Sequence, residues 1–170
     1  MFCDLVGSTA LSTQLDAEDL REVIGAYHRC IADAVGRYAG FVARFMGDGV
    51  LVYFGYPRAH EDDAERAVRV GLELVTLVPA LKPGSDINLR CRIGIATGLV
   101  VVGDLVGTGD AQEHGIIGET PNLAARLQAL AEPNEVVLEN STRLLIGDLF
   151  ECRDLGTALT DQRAAADAAQ

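Results

Sequence analysis

Two apolar runs, Phe41–Met46 and Val50–Phe54, are separated only by Gly47-Asp48-Gly49. Three residues allow little more than a tight reversal, and Asp-Gly is among the strongest hairpin signals. Two antiparallel neighbouring strands are therefore expected here. Long stretches with helical spacing flank this hairpin. Upstream, Asp16 has the chemistry of an N-cap, and apolar residues recur at Leu20, Val23, Ile24, Tyr27, Ile31, Val35 and Tyr38 until Gly40 ends the helix. Downstream, Gly55-Tyr56-Pro57 punctuates the chain. Glu61-Asp62-Asp63 then places acids at the positive end of a second helix, whose buried face is expected to carry Ala64, Ala67, Val68, Gly71, Leu72 and Val75, with Pro79 and Pro83 closing it.

The remaining elements follow from the same rules. MFCDLV opens as a strand that stops at Gly7-Ser8-Thr9, and with so little lead-in this strand is expected to begin upstream of Met1. Ile87–Ala96 and Leu99–Val106 read as strands joined near Gly98. Pro121 marks the first turn of a third helix running to about Ala131. Glu135–Leu138 reads as a short strand, Ser141–Ile146 as a short helix and Phe150–Leu155 as a last strand. The order β-α-β-β-α-β with further αβ elements predicts an α+β, ferredoxin-like core, an antiparallel sheet with helices packed on one face. With 170 residues and 49% hydrophobic content, one domain over residues 1–156 is expected. The Ala-rich residues 157–170 form a tail without strand signals.

Charge and cysteine usage narrow the function. A net charge of −11 argues against a nucleic-acid partner or an anionic membrane surface, both of which call for basic patches. A polyanionic ligand would then have to be met locally, by metal ions, backbone amides or a few arginines. No apolar run reaches the length of a membrane span, and no basic segment precedes FCDLVGST as in a signal peptide. Cys3, Cys30, Cys91 and Cys152 lie far apart, as expected of reduced thiols in a cytoplasmic protein.

Two carboxylates stand out. Asp4 ends the first strand just before Gly7-Ser8-Thr9, and Asp48 sits in the hairpin turn. In a β-α-β-β core the first strand can lie beside that hairpin, so both carboxylates can meet at one sheet edge, as hard oxygen ligands suited to Mg²⁺ or Mn²⁺. Gly7-Ser8-Thr9 offers backbone N–H groups and small side chains to phosphate oxygens. A metal pair there suits phosphoryl transfer. Asn122 and Arg126, four apart on one helix, share a face. They are suitable donors to a ribose and a phosphoryl oxygen.

FCDLVGSTALS, FMGDGVLVYFGYP with HEDDAERAV, RIGIATGLVVVGDLVG and GETPNLAARLQALAEPNEVVLENST together resemble the class III nucleotidyl (adenylate/guanylate) cyclase catalytic domain, in order, from Phe2 to about Gly156. The resemblance implies a homodimer with active sites at the subunit interface, and two Mg²⁺ or Mn²⁺ ions held by Asp4 and Asp48 with the Leu5 carbonyl. It implies that Gly7, Ser8 and Thr9 touch the β- and γ-phosphates. From the partner chain, Asn122 would orient the ribose and Arg126 would stabilise the transition state. The implied reaction turns ATP into 3′,5′-cyclic AMP and pyrophosphate, and a fused regulatory domain is compatible with it.

Three positions depart from the family pattern. Arg44 stands where adenylate cyclases carry a base-reading Lys. Gly115 stands where they carry an Asp or Thr. No Lys follows Gly156, where the family often has a phosphate-binding one. These departures leave GTP open as a substrate, and with it a catalytically silent dimerisation or nucleotide-binding module. His28, His60 and His114 share no metal-ligand spacing, and Asp104 reads as a turn residue.

Overall fold

The computed structural model describes residues 1–81, 87–104 and 114–156. Along the chain these form β1 (Phe2–Leu5), α1 (Ser8–Gln14), α2 (Ala17–Arg37), β2 (Phe41–Met46), β3 (Gly49–Tyr53), α3 (Asp63–Ala80), β4 (Cys91–Ile95), β5 (Val101–Asp104), β6 (His114–Ile117), α4 (Glu119–Leu130), β7 (Glu135–Leu138) and α5 (Asn140–Ile146). The main sheet has the order β2-β3-β1-β4-β7. Each of the two long helices, α2 and α3, carries the chain over one intervening strand, which gives the α+β split of a ferredoxin-like core. The β2–β3, β3–β1 and β1–β4 pairs are antiparallel, as expected, whereas β7 adds to β4 in parallel at the edge. The sheet as a whole is therefore mixed.

Strand alternation assigns the faces. Cys3 and Leu5 of β1, Val50 and Val52 of β3, and Cys91, Ile93 and Ile95 of β4 point into one core with Val23, Tyr27 and Ile31 of α2 and Val70, Leu74 and Val78 of α3. The alternate residues Phe2, Asp4, Leu51, Arg92 and Gly94 line the other face. That face is not bare, contrary to the expectation of helices on one side only. Helix α4 lies across it, with Leu127 and Ala131 packed on Val137. The close approach depends on Gly94: a Cβ there would fall 2.0 Å from the Ala124 carbonyl oxygen and 2.4 Å from the Gln128 nitrogen.

Asp16 caps α2 as its chemistry predicts, its Oδ1 accepting from the Glu18 and Asp19 amides at 3.0 and 2.9 Å. At the other end it is Ala39, with φ 55°, that takes the left-handed position. The Gly40 amide closes the end by donating to the Val35 carbonyl at 3.0 Å. Gly40 is needed for space, since a Cβ there would meet Phe54 and Val35 at 2.8 Å.

Several expected boundaries move. The chain after Gly7 enters a short helix, α1, directly. Helix α4 begins at Glu119, before Pro121, and α3 continues past Pro79 to Ala80. Leu72 lies 46% exposed, off the buried face of α3. Of Ile87–Ala96 only Cys91–Ile95 is strand. The run after Gly98 pairs with β6, with Val101 opposite Ile117, and forms a separate two-stranded ribbon in place of a hairpin with β4. Phe150–Leu155 forms no strand. Phe150 packs instead against the core, with Arg69 5.6 Å above its ring. Pro83, Val106 and residues 157–170 lie outside the described residues.

Candidate active site

Strand β1 sits between β3 and β4, so Asp4, near its end, lies beside the β2–β3 turn that carries Asp48. The two carboxyls lie close enough for the Asp48 carboxylate to act on Asp4. Loss of solvation, then the neighbouring Asp48 carboxylate, pushes Asp4 up to about 6, against the opposing pull of the Leu5 amide and the Arg92 guanidinium. Two acidic oxygens crowded together in this way form a donor set that a divalent cation would relieve, which is the fit expected for Mg²⁺ or Mn²⁺. No third His, Cys, Asp or Glu joins them among the described residues.

The turn and the loop next to this pair are shaped by glycine. Gly47 has φ 65° and Gly7 φ 75°, both left-handed, where a side chain would be strained. Gly7 turns the chain from β1 into α1, so Ser8 and Thr9 open that helix with no side chain capping its first-turn amides. Gly7 and Thr9 are exposed and Ser8 half-buried. Leu5 turns its side chain into the core, 2% exposed, and only its backbone faces the site.

A bulge brings Arg44 to the same face. Val42 pairs with Val52, but Arg44 pairs with Leu51, so Ala43 is the extra residue. In an unbulged register, with Ala43 paired to Leu51, Arg44 would sit opposite Val50 on the core face. With the bulge, Arg44 shares the face of Leu51, Phe2 and Asp4, and its charge opposes the upward push that burial gives Tyr53.

Asn122 and Arg126 do not join Asp4 and Asp48 within one chain. Both are exposed on α4, and Arg126 Nε donates to the Asn122 backbone oxygen at 3.4 Å. Gly115 lies in the separate ribbon, opposite Gly103.

Over residues 1–161 the sequence matches the family of the Adenylate and Guanylate cyclase catalytic domain. The chain belongs to that family. Among solved structures it is similar to the adenylyl cyclase CyaB from P. aeruginosa, at 33% identity, covering 94% of this chain and 85% of that one with a TM-score of 0.86. The guanylyl cyclase Cya2 is 31% identical, over 92% of this chain and 84% of that one, with a TM-score of 0.77. A curated relative, Adenylate cyclase 1 of Rhizobium meliloti (strain 1021), is 27% identical over 98% of this chain. The chain spans only 14% to 26% of the length of the curated relatives it matches.

Three side chains around this cyclase-family site escape a reading of motifs. Gln128 is 8% exposed, and its Nε2 donates to Asp4 Oδ2 at 3.4 Å. Arg92 is the cross-strand partner of Asp4, and its Nε is buried with no hydrogen-bond partner. His28 of α2 reaches the Gly47 carbonyl at 3.0 Å and packs its ring on Phe45 at 4.3 Å. Only Gln128 left a signal in the sequence: it is a polar residue on the stripe of Ala124, Leu127 and Ala131.

Proposed function

We propose that this domain is a nucleotidyl cyclase that converts ATP to 3′,5′-cyclic AMP and pyrophosphate in a homodimer, in the cytoplasm where ATP is available. The observation that carries this reading is the contact between the Asp4 and Asp48 carboxyls beside Gly7-Ser8-Thr9. Asp4, Asp48 and the Leu5 carbonyl would hold two Mg²⁺ or Mn²⁺ ions, which when bound supply charge neutralisation and an acidified ribose hydroxyl. The amides of Gly7, Ser8 and Thr9 bind the β- and γ-phosphates and fix the triphosphate. The Asn122 side chain of a second copy orients the ribose, so that its 3′-oxygen faces the α-phosphorus. Arg126 of that copy donates to the phosphoryl oxygens as the bond to the β-phosphate breaks and pyrophosphate leaves. Positioning and charge stabilisation are the chain's whole contribution. The exposure of Asn122 and Arg126 on α4 supports their use by a partner. A regulatory domain elsewhere in a longer chain would act by moving the two copies relative to each other.

Arg44 and Gly115 would face the purine. A guanidinium only donates, and glycine offers no side chain. Adenine N1 and guanine O6 can both accept from Arg44, so neither base leaves that guanidinium unpaired, while adenine's 6-amino group finds no side-chain partner at Gly115, and discrimination is weak. The test is an assay of the purified chain with ATP and with GTP, each with Mg²⁺ and Mn²⁺, following cyclic product. Cyclic AMP is expected, with ATP favoured by at most about 1–2 kcal/mol. Asp48→Asn should abolish it with an unchanged circular dichroism spectrum. No product from either nucleotide would make the domain a silent cyclase-like module, and an ATP preference of several orders of magnitude would remove Arg44 and Gly115 from base reading.

A further inference from the structure

Gln128 occupies a place where an amide is costly. Its helical neighbours Ala124, Leu127 and Ala131 are buried, 1%, 5% and 3% exposed, and Gln128 itself is 8% exposed. A buried amide without partners destabilises a fold, and apolar residues would fill the stripe equally well. Its Nε2 points to Asp4 Oδ2.

The backbone beneath Gln128 has little freedom. Gly94 lets α4 rest directly on β4, with the Gln128 backbone nitrogen 2.4 Å from where a Gly94 Cβ would be. Gly94 is the cross-strand partner of Phe2, two residues from Asp4. The amide is thus delivered to Asp4 from a fixed point. At 3.4 Å the contact is long for an N–H···O bond, so it orients the carboxylate more than it binds it. One oxygen is held, and the other keeps its lone pairs for a cation. The groups facing Asp4 are then Asp48 from the hairpin, Arg92 from β4, the Leu5 amide and Gln128 from α4.

We infer that Gln128 is a positioning residue for Asp4, and that through it α4 serves two sites: its buried face steadies the metal carboxylate of its own chain, while Asn122 and Arg126 on its exposed face serve the partner's. This inference rests on the proposed two-metal reading. Outer-shell partners of metal ligands typically change metal affinity by roughly 10–100-fold when removed. The closing experiment measures Mn²⁺ binding by electron paramagnetic resonance on the full chain without nucleotide, for wild type, Gln128→Met, Gln128→Leu and Asp48→Asn. Gln128→Met keeps the length without the donor, and Gln128→Leu suits the apolar stripe, so both are expected to keep the wild-type circular dichroism spectrum. Both should weaken Mn²⁺ binding by about 10-fold. The half-saturating Mn²⁺ for turnover should rise by the same factor, and the lost turnover should return at saturating Mn²⁺. Wild-type Mn²⁺ affinity in both Gln128 variants, with binding lost in Asp48→Asn, overturns the inference and leaves the two-metal reading standing. Wild-type affinity in Asp48→Asn as well overturns that reading and the inference with it.

Discussion

At the scale of single residues, the candidate site depends on side chains that aim its proposed ligands. The turn bearing Asp48 hangs from His28. Loss of solvation, the larger effect, holds His28 below its ordinary value, so at neutral pH it carries one ring proton, and the Gly47 carbonyl is the acceptor for it. Phe45 stacks on the ring and keeps it in place. His28→Ala should therefore loosen the turn, lower stability by about 1 kcal/mol and reduce Mn²⁺-dependent turnover. His28→Gln, which retains a donor, should recover part of the turnover. Thermal melts and product assays on the two variants check this, and full activity in His28→Ala would show that the turn holds Asp48 unaided. Little of this was legible in the sequence. His28 shares no spacing with another ligand, and its partner is a backbone atom 19 residues away. The Ala43 bulge is equally silent, because F-V-A-R-F-M alternates no differently with it than without it. Asp4 and Asp48 were legible because one lies near a strand end just before Gly7-Ser8-Thr9 and the other sits between Gly47 and Gly49, a pattern visible without knowing which strands pair.

At the scale of elements, α4 carries the most consequence for the least sequence signal. Its first turn at Pro121 was readable, but not the face of the sheet it covers. That depends on Gly94, and a glycine in a strand does not announce a helix above it. Gly94→Ala would place a methyl 2.0 Å from the Ala124 oxygen, with backbone on both sides of the clash. The helix must lift, since neither strand nor helix has a flexible side chain to yield. Overpacking of this kind costs about 1–3 kcal/mol. The expected result is a lower melting temperature together with weaker Mn²⁺ binding, because Gln128 lifts with the helix. A melting temperature equal to wild type would mean that α4 is not seated as described. The Phe150–Leu155 expectation failed for a related reason. Apolar content marks a segment for burial, but a strand also needs an edge with free hydrogen-bonding groups, and Phe150 packs half-buried against the core under Arg69 with no sheet partner.

At the scale of the whole molecule, α4 divides the candidate site between two directions. Asp4 and Asp48 meet on one sheet face, Gln128 of the same chain covers Asp4, and Asn122 and Arg126 point outward from the same helix. The β5–β6 ribbon stands apart from the main sheet, with Leu99 beside it and Val101 within it exposed, 89% and 56%. Arg126 thus lies exposed on α4, with its Nε on the Asn122 carbonyl, while Gln128 of the same helix reaches Asp4. If a second copy supplies Asn122 and Arg126, the two-fold arrangement makes two equivalent sites, each with metal ligands from one chain and donors from the other. Asp48→Asn and Arg126→Ala chains should each be inactive as homodimers. When they are mixed, the heterodimer holds one site with both defects and one with neither. Activity should return toward half that of a wild-type dimer, per heterodimer formed. Co-purification with two affinity tags isolates the heterodimer, so its presence is known before product is measured. An inactive heterodimer would mean that the carboxylates and the donors belong to one chain, or that the domain is catalytically silent.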